Sequence, residues 1–182
     1  RAVGDTVVTQ EEKRLGCLLV DLGGQTTGLA VYADGSVRFT KELAVGSDAI
    51  SHDLSHALRT SFLQAQKVKE LHGAPSRALA EGNLDDDIEY TSVDGRTPRR
   101  LKRTAIFDYI APRVEEIFTL ISEELQRSNY ADHVAGGGVI LTGGGAQLRG
   151  IAQAAEQILD LPVRLGLPQN IGGVPDIVTN PG

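Results

Sequence analysis

The sequence has little of what a disulfide-bonded, membrane-spanning or nucleic-acid-binding protein needs. Its 182 residues include one cysteine, no methionine and no tryptophan. A single thiol, Cys17, excludes a disulfide framework within the chain and favours a reducing cytoplasm. No apolar run reaches the roughly 20 residues of a transmembrane helix. The net charge of −6 argues against nucleic acid as a partner, because phosphate-binding surfaces are basic.

The remaining composition fits a folded piece of a longer protein. Hydrophobic residues make up 41% of the chain and charged residues 23%, as in a soluble chain of one compact body or two small lobes. The first residues have no signal-peptide core. Because the sequence starts with Arg1 and lacks methionine, we expect a fragment.

The most informative stretch, residues 18–32, contains two apolar strands joined by a glycine-containing turn. One carboxylate, Asp21, interrupts the apolar run. Glycines let backbone N–H groups approach a phosphate, and an acid beside them can orient a hydrated cation. A simple tight hairpin explains the same residues, so the stretch by itself leaves both interpretations open.

Turn and cap signals predict a three-stranded meander followed by two helices. The pair Asp34-Gly35 predicts a type I′ turn, whose two central residues need positive φ. Ser47 is predicted to cap one helix through its hydroxyl, and Ser61 a second helix that stops at Gly73. The residues before the meander are predicted to form a polar lead-in or one short strand.

Two side-chain pairs on these helices have competing interpretations. His52 and His56 lie four residues apart and could share a metal, but no third ligand is evident, which favours solvated histidines. Gln66 and Lys69 lie three residues apart on one side of the second helix. Taken by themselves, they read as ordinary exposed helix residues.

A charged hairpin follows, because Asp94-Gly95 predicts a two-residue turn. The turn sets acid opposite base across the ladder. The predicted pairs are Glu89 with Arg100, Ile88 with Leu101 and Asp87 with Lys102. Pro98 has no N–H to donate, so its strand is predicted to lie at an edge.

The last part of the sequence predicts a long helix and then a strand, a glycine loop, a helix and a strand. Apolar residues recur every three or four positions over 104–129, and Pro112 is predicted to kink or restart this helix. A short apolar strand then ends at Gly143, Gly144 and Gly145, where a flat ring and a sugar could lie against backbone. A plain strand-to-helix turn is the alternative. We expect the two glycine loops at opposite ends of one sheet.

These motifs together resemble a known family. They are DLGGQTT at residues 21–27, LTGGGAQL at 141–148, and the shorter segments 61–73, 93–98, 110–113 and 162–166. From about residue 15 to residue 181, the chain resembles the actin-like ATPases, and within them the FtsA family of bacterial cell-division proteins. The first motif resembles the second phosphate loop of that family, and the second resembles its adenosine loop.

The resemblance implies an α/β, actin-like (ribonuclease H-like) fold with an inserted α+β subdomain. Subdomain 2A would comprise residues 1–46 and 105–182, and subdomain 2B residues 47–104. The implied cofactors are ATP and Mg²⁺, with Asp21 holding the metal through water. The implied nucleotide contacts are Gly23, Gly24, Gln25 and Thr26 for phosphates, Gly143, Gly144 and Gly145 for ribose and adenine, and Gln66 and Lys69 for the nucleoside.

The implied function is that of an ATP-binding cell-division protein that polymerises and links FtsZ filaments to the membrane. Its place would be the inner face of the cell membrane at the division site, reached through a membrane tail absent from this chain. The C-terminal peptide of FtsZ would bind at subdomain 2B, near Arg96 and Arg113. We predict Arg113 as the better contact, because it lacks an obvious acidic partner in the sequence.

No catalytic residue is identified, and at most a weak ATPase is expected in the full-length protein, with this chain alone inactive. Gln25 stands where the family has glycine, and Gly28 where aspartate is common. Gln66 stands where glutamate is usual. These departures give weight to an alternative, an actin-like adaptor without significant hydrolysis, as in pilus-assembly relatives. A small-molecule kinase ranks last, since no substrate cleft or catalytic acid is evident.

Overall fold

The computed structural model describes residues 7–166, which form a mixed five-stranded sheet with helices against it and a separate two-stranded hairpin. The strands are β1 Cys17–Leu22, β2 Thr27–Ala33, β3 Ser36–Leu43, β4 Asp87–Thr91, β5 Pro98–Lys102, β6 Val139–Thr142 and β7 Val163–Leu165. The α-helices are α1 Gln10–Leu15, α2 Asp48–Leu58, α3 Phe62–His72, α4 Arg103–Arg127 and α5 Ile151–Leu159. Single 3₁₀ turns span Ala131–His133 and Gly144–Gln147.

The predicted meander is confirmed. β1 pairs with β2 and β2 with β3, both antiparallel. At the second turn, Asp34 has φ 54° and Gly35 φ 88°, as a type I′ turn requires. β6 and β7 extend the sheet in parallel on the other side of β1, so the strand order is β3-β2-β1-β6-β7.

The two glycine loops lie side by side, so the expectation that they occupy opposite ends of the sheet is wrong. β1 and β6 are parallel neighbours, with Asp21 in register with Thr142. The carboxyl ends of parallel neighbouring strands meet at the same edge of a sheet, which is where ligands bind in open α/β folds. The loops that follow Leu22 and Thr142 are therefore adjacent.

The core lies between one face of the sheet and helices α2, α4 and α5. The apolar stripe predicted for the long helix is fully buried: Phe107, Ile110, Val114, Ile117, Ile121 and Leu125. This helix runs unbroken through Pro112, so the predicted restart does not occur. None of the helices among residues 7–166 combines the length and apolarity needed to cross a bilayer.

The charged hairpin has the predicted register but a different turn. Asp87 pairs with Lys102, Ile88 with Leu101 and Glu89 with Arg100. The ladder ends before the turn, where Gly95 has φ 75° and Asp94 has an ordinary negative φ. The Asp94 carboxylate instead accepts hydrogen bonds from the Thr97 hydroxyl and from the backbone N–H groups of Thr97 and Arg96, the latter two at 2.8 Å. These bonds lower the pKa of Asp94 to about 2.

The segment before β1 contains a helix rather than a short strand. Thr9 and Glu12 cap α1 reciprocally: the Thr9 hydroxyl accepts from the Glu12 N–H at 3.0 Å, and the Glu12 carboxylate accepts from the Thr9 N–H at 2.9 Å. Arg164 in β7 donates two further hydrogen bonds to Glu12, each at 2.7 Å, which lower the pKa of that carboxyl. The boundaries of subdomains 2A and 2B stay a prediction. The glycine- and proline-rich sequence from residue 167 onward lies outside the described residues.

Candidate functional site

The loop between β1 and β2, residues 23–26, is held in place by the start of α2. The N–H of Ser47 donates to the Gly23 carbonyl and the N–H of Asp48 to the Gly24 carbonyl, each at 2.8 Å. Gly46 allows this approach, since a Cβ there would lie 2.4 Å from the Gly24 oxygen. The predicted side-chain cap by Ser47 is wrong, because its hydroxyl does not cap the helix and its backbone serves the loop instead.

Both carbonyls therefore point towards α2, and consecutive N–H groups of the loop stay available. Within the described residues, the N–H groups of Gly24, Gln25 and Thr26 donate no hydrogen bond. These residues are exposed. Successive free N–H groups in a turn can donate together to an anion. The loop is therefore suited to phosphate oxygens.

Asp21 lies at the end of β1, directly before this loop. Its side chain is half-buried, and no residue of the described part forms a hydrogen bond or ion pair with it. A carboxylate without a protein partner fits the water shell of Mg²⁺, which keeps several waters and needs only one or two carboxylates. Among residues 7–166 there is no group of three or more His, Cys, Asp and Glu side chains that could bind a metal directly.

The loop after β6 packs tightly against β1 at two of its three glycines. Gly143 has φ 95° and ψ 169°, and a Cβ there would lie 2.4 Å from the Leu22 carbonyl oxygen. A Cβ on Gly145 would lie 2.6 Å from Leu22 Cγ. Gly144 differs, because no atom lies within 4 Å of the position its Cβ would take. Gly144 thus leaves open space beside the backbone of this loop.

Helix α3 supplies the facing wall. The Ser61 hydroxyl accepts from the N–H of Gln64 at 3.1 Å, as the predicted cap requires. Lys69 is buried, contrary to the expectation of an exposed residue, and its Nζ donates to the Ser47 carbonyl at 3.3 Å. Burial lowers the pKa of Lys69, an effect that the nearby carboxylates of Asp48 and Glu70 oppose.

These elements enclose a cavity of about 410 Å³. Its walls bring together five of the residues predicted to contact the nucleotide: Gly24, Gln66, Lys69, Gly144 and Gly145. Gly23, Gln25, Thr26 and Gly143 belong to the two bordering loops. Asp21 lies on the other side of its strand end, facing a concavity of about 950 Å³ on the opposite face of the meander.

Sequence reasoning missed several residues of this cavity. They are Ser47, Asp48, Ile50, Glu70, Gln147 and Leu148. In the sequence, Ser47 and Asp48 read as the start of a helix. That interpretation gives no sign that they also lie beside the loop of residues 23–26. Gln147 and Leu148 directly follow the glycine motif, and that adjacency is the signal that could have identified them.

The two arginines predicted to contact a peptide, Arg113 and Arg96, have different surroundings. Arg113 has acidic partners, so the premise for choosing it is wrong: it donates to Asp53 at 2.7 and 2.8 Å and to Glu116 at 2.7 Å. These bonds raise the pKa of Arg113. The exposed Arg96 guanidinium, in contrast, has no hydrogen bond or ion pair within residues 7–166. Arg96 is therefore the more available cation.

The histidine pair on α2 is exposed, which agrees with the solvated interpretation. The His52 ring lies 4.6 Å from the Phe62 ring, measured between centroids. This contact joins the first half of α2 to the start of α3. His52 thus has a packing role on the surface.

Comparison with known proteins shows one consistent similarity. A model of the family described as "Cell division protein FtsA" matches residues 18–182. The chain is 39% identical over 176 residues to the cell division protein FtsA of Pseudomonas aeruginosa and 41% identical over 180 residues to that of Neisseria meningitidis. These alignments cover 97% and 99% of this chain but 42% and 43% of the relatives, so the chain spans about two fifths of their length.

Among solved structures, the chain is similar to MreB5 of Spiroplasma citri bound to AMPPNP, with a TM-score of 0.74 and 21% sequence identity. The match covers 90% of this chain and 51% of the MreB5 chain. At this identity the similarity concerns the fold. The chain therefore has the actin-like fold that the sequence motifs predict.

Proposed function

Because this chain belongs to the FtsA family of cell-division proteins, we propose that it forms one side of an ATP site in an actin-like division protein. The full-length protein would polymerise and link FtsZ filaments to the inner face of the membrane at the division site. The relatives are more than twice as long as this chain. The other side of the nucleotide cleft would therefore come from residues that this sequence does not contain.

The cavity beside Gly144 is the observation that supports this proposal most. It combines free backbone N–H groups at one end, open space over a glycine in the middle, and Lys69 with Gln66 on the opposite wall. Phosphates, a flat base with its sugar, and ribose hydroxyls need these three environments in that order. When bound, Mg²⁺ would neutralise phosphate charge, with Asp21 holding its water shell.

Gly144→Ala tests the cavity directly. The new methyl group meets no protein atom within 4 Å, so the fold should tolerate it. The methyl group would occupy space that the nucleoside needs. We therefore expect the affinity of the full-length protein for ATP to fall about 5- to 10-fold, which corresponds to the lower end of the free-energy cost of overpacking. Isothermal titration calorimetry measures this affinity.

The matched control for this variant is Ser36→Thr, which adds one methyl group on the exposed strand β3. It should leave ATP affinity unchanged. Both variants should melt within a few degrees of the unmodified protein, by the usual scale of surface substitutions. Unchanged ATP affinity in Gly144→Ala would place the nucleoside elsewhere and remove the main support for the proposal.

For the FtsZ peptide, the geometry supports Arg96 before Arg113. The FtsZ tail is expected to be acidic and apolar, and Arg96 offers a guanidinium with no competing carboxylate in the described part. Val93 nearby is 70% exposed and supplies an apolar contact. Arg113 would have to share its guanidinium between Asp53 and a peptide carboxylate.

We expect Arg96→Gln to weaken binding of a labelled FtsZ tail peptide about threefold, which is the scale of an exposed ion pair. Arg113→Gln should weaken it less, because that guanidinium is already paired. Arg38→Gln, the same charge change on β3, is the control. Fluorescence anisotropy gives the affinities. If Arg96→Gln and Arg38→Gln bind the peptide equally, the peptide site does not include Arg96.

A further inference from the structure

Arg103 is a buried cation at the first position of α4, and its side chain meets only carbonyl oxygens as polar partners among the described residues. Its Nε donates to the His72 carbonyl at 3.1 Å. Its Nη1 donates to the carbonyls of Glu81 at 2.5 Å and Asn83 at 3.3 Å. The Phe107 ring lies 5.1 Å from the guanidinium carbon. This side chain thus joins three separate points of the backbone.

The first of these points is the end of α3. His72 is the last residue of that helix, and its carbonyl belongs to the set that lacks an intrahelical partner. Such carbonyls carry partial negative charge and attract a cation. Burying a charge without a hydrogen-bond partner would destabilise the fold. The three carbonyl oxygens accept hydrogen bonds from the guanidinium and so allow an arginine to be buried at this position. Arg103 therefore caps the carbonyl end of α3.

The other two points belong to the loop between α3 and β4, which packs on the second glycine loop. A Cβ on Gly150 would lie 3.0 Å from the Leu79 carbonyl oxygen and 3.2 Å from Pro75 Cδ. At the start of the same loop, a Cβ on Gly73 would lie 3.3 Å from Leu148 Cδ1. Leu148 lines the nucleotide cavity. The α3–β4 loop thus packs behind the cavity wall that faces α3.

We propose that Arg103 is a positioning residue for the nucleoside. By joining the end of α3 to the α3–β4 loop, it sets the distance between the wall that carries Gln66 and Lys69 and the wall formed after Gly145. This inference rests on the proposed nucleotide site. It adds a residue that lies outside the cavity and touches no ligand.

Arg103→Lys is the first test, because a single ammonium group cannot reach three carbonyls with the fork that arginine provides. We expect the affinity of the full-length protein for ATP to fall about fivefold, a loss of positioning rather than of a direct contact. Arg100→Lys, the same exchange three residues earlier on the exposed face of β5, should leave ATP affinity unchanged. Equal affinities for Arg103→Lys and Arg100→Lys would overturn the inference.

A double-mutant cycle separates positioning from general destabilisation. If Arg103 acts through α3, Gln66→Ala should weaken ATP binding clearly in the unmodified protein and less than twofold in the Arg103→Lys background. Asp21→Asn lies on β1 and should cost the same factor in both backgrounds. Full additivity with Gln66→Ala, or equal coupling to both positions, would contradict the inference. Absence of ATP binding by the unmodified protein would instead reject the proposed function itself.

Gly82→Ala provides a second variant that leaves Arg103 in place, in case Arg103→Lys does not fold. Gly82 is exposed, has φ 82°, and its Cβ would lie 3.3 Å from Arg103 Nη1. Alanine disfavours this backbone conformation and should move the adjoining carbonyls away from the guanidinium. We expect ATP affinity to fall two- to threefold. An unchanged affinity in a folded Gly82→Ala protein would overturn the inference.

Discussion

Gly143→Ala is expected to lower the free energy of unfolding by about 2–6 kcal/mol. The backbone at this position, φ 95° and ψ 169°, lies in a region that essentially only glycine adopts, at a cost of about 1–3 kcal/mol for other residues. The new Cβ would also lie 2.4 Å from the Leu22 carbonyl oxygen and 2.6 Å from Asp21 Oδ1. Overpacking of this kind adds about 1–3 kcal/mol.

Urea denaturation of the 182-residue chain, followed by circular dichroism, measures this change. Gly144→Ala is the matched control, the same exchange one residue later, where no protein atom is within 4 Å. We expect its free energy of unfolding to change by less than about 1 kcal/mol. A similarly small change in Gly143→Ala would show that the glycine loop can move away from β1, contrary to its tight approach to Leu22.

Asp21→Asn is expected to lower the affinity of the full-length protein for ATP in the presence of Mg²⁺ by 10- to 100-fold. This is roughly the cost of losing an outer-sphere group of a metal site. The substitution keeps the size of the side chain and removes its charge, which is what attracts hydrated Mg²⁺. Affinity measured in EDTA should change much less, because the phosphate loop and the cavity walls remain.

Calorimetric titrations with and without Mg²⁺ separate these two affinities. Asp34→Asn is the control, since it removes the same charge in the exposed turn between β2 and β3 and asparagine tolerates the positive φ of that position. An equal loss of affinity with Mg²⁺ and in EDTA would contradict a metal-directed role for Asp21. Separately, the rate of ATP turnover by the unmodified and variant proteins distinguishes a weak ATPase from an adaptor without significant hydrolysis.

Local signals in the sequence predicted most of the secondary structure. The Asp34-Gly35 turn, the register of the charged hairpin and the apolar stripe of α4 are all present. Each depends on residues close together in the chain, where turn chemistry, cross-strand charge and helical period act directly. Helix α1 was not predicted, but it also has a local signal in the sequence, the capping box Thr9-x-x-Glu12.

Predictions about single side chains failed where distant segments decide the environment. By itself, Lys69 reads as an exposed helix residue, but it is buried and its Nζ donates to the Ser47 carbonyl. Arg113 looked unpaired, but α2 places Asp53 beside it. Neither contact follows from spacing, since Ser47 is far from Lys69 in the sequence, Asp53 is far from Arg113, and both contacts form through helix packing. The second partner of Arg113, Glu116, lies three residues further along the same helix and was a local signal.

The sequence by itself determined the strands, the helices, the two glycine loops and the resemblance to actin-like cell-division proteins. Tertiary structure alone decided that these loops are neighbours, because β1 and β6 pair in parallel and both end at one edge of the sheet. It also decided that Gly144 has open space beside it and that the Arg96 guanidinium has no acidic partner in the described part. The way in which Arg103 joins the end of α3 to the loop behind the cavity likewise depends on tertiary structure. These depend on pairing and packing between distant segments, and local sequence carries no record of that geometry.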